Sequence, residues 1–113
     1  MSYAAVVARL IRDFGEAVSL ERDGSALGTG RAILRPLPDR EDQFLPSPLG
    51  VRREEKVLCL AETGLPFPAV PDRVVLRQGG TAYEVVSVRT VTVGREPVYQ
   101  RAVLRRRDEE ETP

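Results

Sequence analysis

Catalysis needs side chains that move protons, attack a carbon or phosphorus centre, or hold a metal, and this chain supplies few of them. Its 113 residues contain no histidine and a single cysteine, so the commonest general base and metal ligand is missing and no intramolecular disulfide can form. Cys59 lies in the run Val57 to Ala61, where no neighbour would hold a thiolate, and it reads as a small core hydrophobe. Asp39, Glu41 and Asp42 cluster three carboxylates, but their spacing is not that of a calcium loop. In a proline-rich segment such carboxylates read as groups that keep a loop soluble. Arg105, Arg106 and Arg107 could touch phosphate, yet Glu109, Glu110 and Glu111 follow closely and offset them. No GxGxxG run, phosphate loop or CxxC pair occurs. The residues therefore assign no catalytic, cofactor-binding or metal site, and an enzyme is not expected.

Charge and length narrow the classes further. Seventeen basic and seventeen acidic residues cancel, leaving no overall field to draw the protein onto a phosphate backbone or an anionic membrane. No apolar run approaches the roughly 20 residues that span a bilayer, and no hydrophobic signal core follows Met1, so no membrane association is expected and assembly in a cytoplasm is. The length suits one domain, expected over residues 1–107, with 108–113 a charged tail.

The elements that must position any site are organised around Asp72 to Arg106. Three runs rich in Val, Leu and Tyr are broken by Gly79-Gly80 and then by Gly94 to Pro97, which predicts a three-stranded antiparallel meander. In the middle run, period two puts Tyr83, Val85, Ser87, Arg89, Val91 and Val93 on one face and Ala82, Glu84, Val86, Val88, Thr90 and Thr92 on the other. Both faces carry apolar residues, so one packs on a core and the other is partly covered by a helix or a neighbouring subunit.

Upstream, Ser2 to Phe14 places Tyr3, Val6, Val7, Leu10, Ile11 and Phe14 at spacings of three and four, an amphipathic helix (2–14) capped by Ser2 and ended by a left-handed Gly15. Its apolar face packs on the sheet, and Tyr3, Val7, Leu10 and Phe14 are the candidate residues for docking on another subunit. A strand follows from Glu16, with Val18 and Leu20 facing one way, until Asp23-Gly24 turns the chain. After a small, flexible segment from Ser25 to Gly30, a second strand runs from Arg31 to Leu37. A third is predicted from Val51 to Glu62, and the Pro-rich stretch Gly64 to Pro71 lays Phe67 and Val70 over the core.

Between the second and third strands, residues 36–50 read PLPDREDQFLPSPLG, with four prolines and no periodicity. Connections in small domains commonly run about 4 to 6 residues, so this one is long. Phe44, Leu45 and Leu49 are unusual in a solvated linker, which makes Pro38, Asp39, Arg40, Glu41, Asp42, Gln43, Phe44, Leu45, Pro46, Pro48 and Leu49 a candidate docking or gating loop. Six short strands, one helix and no alternating βαβ pattern predict a mainly β fold, a small closed or highly curved antiparallel barrel that hides its strand edges.

The order of these elements, with the stretches Phe14 to Gly24 and Pro71 to Arg107 and within them Tyr-Glu-Val-Val-Ser-Val (83–88) and Val-Tyr-Gln-Arg-Ala-Val-Leu (98–104), resembles the head completion, or stopper, proteins of tailed bacteriophages and prophages. The resemblance covers roughly residues 12 to 107. It implies a structural virion protein of the phage neck, one subunit of a homo-oligomeric, dodecameric ring between portal or adaptor proteins above and tail terminator or tail-tube proteins below. Such a ring closes the DNA channel after packaging and offers the tail a docking surface, with double-stranded DNA in its lumen but no specific grip on it. The inter-strand loop that helps plug the channel in that family matches Pro38 to Leu49 here, where it could close the lumen or dock on the adaptor. Alternatives are a tail terminator or tail-completion ring subunit, and an SH3-like or OB-like module that binds nucleic acid.

Overall fold

The computed structural model describes residues 3–37, 44–47, 50–53 and 56–107. Helix α1 (Tyr3–Phe14) precedes strands β1 (Glu16–Arg22), β2 (Ser25–Pro36), β3 (Phe44–Ser47), β4 (Gly50–Arg53), β5 (Lys56–Ala61), β6 (Val74–Gln78), β7 (Thr81–Val93) and β8 (Glu96–Arg106). Six strands close into an antiparallel barrel in the order β1-β2-β5-β8-β7-β6, with β6 pairing back onto β1, while β3 and β4 form a separate two-stranded sheet. The fold is thus mainly β with one N-terminal helix, as the patterning predicts.

The inward faces carry the core. Val18 and Leu20 of β1 meet Ala32 of β2, Cys59 and Ala61 of β5, Val74 and Leu76 of β6, Val85 of β7, and Ala102 and Leu104 of β8, all buried. Small residues on β2, β5 and β8 let a six-stranded barrel close tightly, because little volume is available at its axis. Turn chemistry sets the registers: Asp23 and Gly24 both take positive φ, as a two-residue type I′ hairpin requires, between Arg22 and Ser25. Of the glycine pair after β6, Gly79 alone takes the left-handed conformation.

Four expectations change. Ser25 to Gly30 is strand rather than flexible connector, and its glycines serve close approach. A Cβ on Gly28 would lie 2.5 Å from Pro66 Cγ, and one on Gly30 would lie 2.9 Å from Leu65 Cδ1, so these bare positions seat the 62–73 crossing against β2. The predicted third strand is divided, with 50–53 belonging to the small sheet and the barrel strand beginning at Lys56. In β7, a bulge at Val86 breaks strict alternation, so that Tyr83 and Val85 before it and Val88 after it all pack toward the core. Finally, Gly15 is not left-handed. Its N–H donates to Ile11 O at 2.7 Å, and a Cβ there would meet that oxygen at 2.3 Å and Ala32 O at 3.0 Å, so glycine is needed for room.

The crossing from β5 to β6 spans the barrel end and is fixed by polar groups as well as by buried Leu65. Gln100, the one buried polar residue among those described, donates its side-chain amide to the carbonyls of Glu62 (3.0 Å) and Leu65 (2.8 Å). The Glu62 carboxylate accepts from Arg31 N at 2.8 Å. At the far end of the crossing the Arg22 guanidinium donates to the carbonyls of Val70 and Asp72.

Candidate functional site

Two surfaces stand out, and both are placed by the ends of barrel strands. The first is the excursion between β2 and β5. Its base is closed by the register Pro36↔Val57 and by Leu37 N donating to Lys56 O at 3.0 Å, so the barrel wall is complete without it. Beyond that clamp, β3 and β4 pair antiparallel from Phe44↔Arg53 to Ser47↔Gly50 and share no ladder with the barrel. The candidate loop is therefore partly regular: Phe44, Leu45 and Pro46 lie in β3. Pro38, Asp39, Arg40, Glu41, Asp42, Gln43, Pro48 and Leu49 lie outside the described residues. Alternation was a poor guide to β3, because Pro46 and Pro48 read as strand breakers and the sheet is only four residues long.

Beneath the clamp the barrel end opens as a cleft of about 280 Å³ lined by Phe14, Glu16, Ile33, Leu34, Pro36, Val57, Gln78 and Tyr83. The Gln78 amide donates to the Glu16 carboxylate across its edge. The lining mixes aliphatic and aromatic side chains with the Glu16 carboxylate and the Gln78 amide.

The second surface is α1, which lies against β8 and β2, the two strands flanking β5. Ile11 is fully buried, and Ala4, Val7 and Ala8 are half-buried beside it. At about 100° per residue, Tyr3, Val6, Leu10 and Phe14 share the adjoining sector of the helix. All four are exposed, Tyr3 by 67% and Phe14 by 70%. Of the docking residues expected from sequence, Tyr3, Leu10 and Phe14 are thus brought together, whereas Val7 turns toward the barrel and Val6 takes its place. The helical angle contains that distinction, but only the barrel shows which sector is covered.

Cys59 is buried in the core, and burial pushes its thiol up to about 12, which leaves no thiolate at neutral pH. Among the described residues no three Cys, Asp or Glu side chains gather as a metal site, and no helix is long and apolar enough to cross a membrane. The Asp39, Glu41 and Asp42 cluster lies outside the described residues. In comparisons with known proteins, the chain matches no family model and no curated protein.

Proposed function

We propose that this chain is a ring subunit of a tailed-phage neck, seated between portal or adaptor and tail, with the excursion from β2 to β5 acting at the channel or on a neighbouring neck protein. The observation that carries this reading is the clamped excursion. A barrel whose wall is complete at Leu37 and Lys56 gains little from a long proline-rich insertion bearing its own two-stranded sheet. Isolated two-stranded hairpins are marginal in water, so such an element is best explained by a surface it meets on assembly. The exposed aromatic stripe of α1 supports a multi-subunit setting, and zero net charge suits a lumen along which DNA slides without sticking.

The main rival, a module gripping nucleic acid, would need a basic groove with stacking aromatics. A groove of about 710 Å³ along β1, β6 and β7 is lined by Glu21, Asp23, Asp72 and Glu84 as well as by Arg73, Arg77, Arg105 and Arg107, with no aromatic residue. That balance favours a structural role over nucleic-acid binding.

The test is to replace residues 38–55 with a short Gly-Ser turn in the assembling phage. The expected result is heads that package DNA and then lose it, seen as empty particles with processed shells. DNA-filled, infectious particles at normal yield would overturn the gating role.

A further inference from the structure

We infer that β7 beyond Glu84 takes an added strand, an extended and acidic segment of a partner protein whose carboxylates meet the cross-strand pair Arg89 and Arg101. The site stands apart from the neck reading and needs no ring. Its first basis is the backbone. Strand β7 runs from Thr81 to Val93, but β6 pairs with it only from Gln78↔Thr81 to Val75↔Glu84. On the other side β8 pairs from Tyr83↔Arg106 to Val93↔Glu96. Among the described residues no strand lies beside 86–93 on the β6 side, so closure of the barrel leaves this stretch of about 26 Å as a free edge.

The chain itself uncovers that edge. Val74 N donates to Pro71 O at 3.2 Å and Arg73 takes a left-handed φ of 61°, so a turn lets β6 begin only at Val74. Arg73 holds the turn in place by donating to the Asp23 carboxylate at 3.1 Å. Proteins blunt a bare edge with proline, lysine or a short strand, because its N–H and C=O groups otherwise template another chain. Residues 86–93 contain no proline, lysine or glycine, and six of the eight are Val or Thr, which favour an extended backbone. The bulge at Val86 kinks only the start of the edge. Val86 and Val93, 41% and 48% exposed, give an added strand apolar side chains to pack against at both ends.

The second basis is charge, and it selects the partner. Arg89 sits directly opposite Arg101 in the β7–β8 register, on the outward face, since Ala102 next to Arg101 is buried in the core. Like charges facing each other across a ladder oppose its pairing. Neither guanidinium has an acidic partner among the described residues, whereas the cross-strand pair Glu84↔Arg105 nearby is an ion pair at 3.4 Å. A strand added beside β7 places one of its side chains opposite Arg89, with Cβ atoms about 5 Å apart. A carboxylate there meets Arg89 and, one strand further on, the long side chain of Arg101, which turns a repelling pair into a bridged one. A basic segment would add a third like charge. Duplex DNA also presents anions, but it has no N–H or C=O row to pair with a strand edge. Backbone pairing therefore supplies the affinity, and the two arginines choose the sequence.

The test mixes the full chain with a synthetic peptide as long as the edge, valine alternating with glutamate, and separately with its lysine counterpart. The glutamate peptide is expected to bind at least about tenfold more tightly than the lysine one. It should also slow amide exchange at alternate positions of 86–93, those whose N–H groups point away from β8. Methylating every second peptide amide should abolish binding in one phase and spare it in the other, as an added strand requires. Equal effects of the two phases would mean charge attraction without strand pairing and would overturn the proposal. In Arg89→Thr the preference for glutamate should fall below about threefold, and an unchanged preference overturns the assignment of the arginines. Slow exchange throughout 86–93 in the free chain would show an edge already covered, and sinks the proposal, as does the absence of peptide binding. If short duplex DNA binds in an Arg89-dependent way and the peptide does not, the pair is a phosphate contact instead. If Arg89→Thr self-associates through 86–93 while the native chain binds no peptide, Arg89 is a guard against edge pairing and the proposal falls.

Discussion

At the scale of single residues, stability rests on a few positions whose replacement has a defined consequence. Gln100 donates to the crossing carbonyls of Glu62, Thr63 and Leu65, and Gln100→Leu leaves them without that donor, at a cost of about 1 to 3 kcal/mol. Denaturant unfolding should show this as a lower midpoint at unchanged slope. Gly15→Ala should also destabilise, because its Cβ would lie 2.3 Å from Ile11 O, whereas Gly64→Ala meets nothing within 4 Å and should be close to neutral. Equal melting temperatures for the two variants would contradict the close packing of α1 on β2. Burial holds the Cys59 thiol protonated until about 12, against an ordinary value of 9.0. Below pH 9 the folded and unfolded chains both carry that proton. Between 9 and about 12 the unfolded chain releases it and the folded chain keeps it, so stability falls as pH rises through that window. Cys59→Ala should remove this part of the alkaline slope, and native Cys59 should resist alkylation at pH 8 until denaturant is added.

At the scale of elements, α1 does two separable things. Ile11 is buried at 2% exposure under the helix, and Ile11→Ala should cost about 2 to 4 kcal/mol through lost contacts and a cavity. Phe14 on the exposed sector contributes little to the fold of one copy, so Phe14→Ala should leave chemical unfolding of the monomer almost unchanged. The reverse order of effects would mean that the helix is seated on its other face. Strand β7 shows how an element corrects a local pattern: the bulge at Val86 lets two successive stretches of the strand present Val85 and Val88 to one core.

At the scale of the whole molecule, the closed barrel and the small β3–β4 sheet share no strand pairing. The ladder β2 to β5 runs from Ala32↔Ala61 to Pro36↔Val57 and ends at the Leu37 to Lys56 hydrogen bond. Loop-closure entropy varies slowly with loop length, so replacing residues 38–55 with a Gly-Ser turn should change folding stability by no more than ~1 kcal/mol. Circular dichroism and thermal unfolding of the purified variant check this. A large loss would mean that the small sheet is part of the barrel's own support.

Much of the local structure was legible in the residues themselves. The period of two at Val18 and Leu20, the period near 3.6 in α1 and the turn chemistry of Asp23-Gly24 are local signals, set by backbone geometry and by the alternation of side chains. The mainly β barrel with one helix follows from them, as does the length of the excursion. Contacts between distant segments decided the rest. Glycines 28 and 30 read as flexible until Pro66 and Leu65 lie against them. Gly15 read as a helix terminator, although its missing side chain makes room for Ile11 O and Ala32 O. Val6 and Val7 are neighbours on one apolar face, and only the line along which the barrel meets α1 leaves the first in solvent and tucks the second in. Propensity acts within a few residues, whereas burial depends on which remote segment arrives. The exposed stripe of α1 and the charged groove along β1, β6 and β7 therefore became visible only once the barrel had closed.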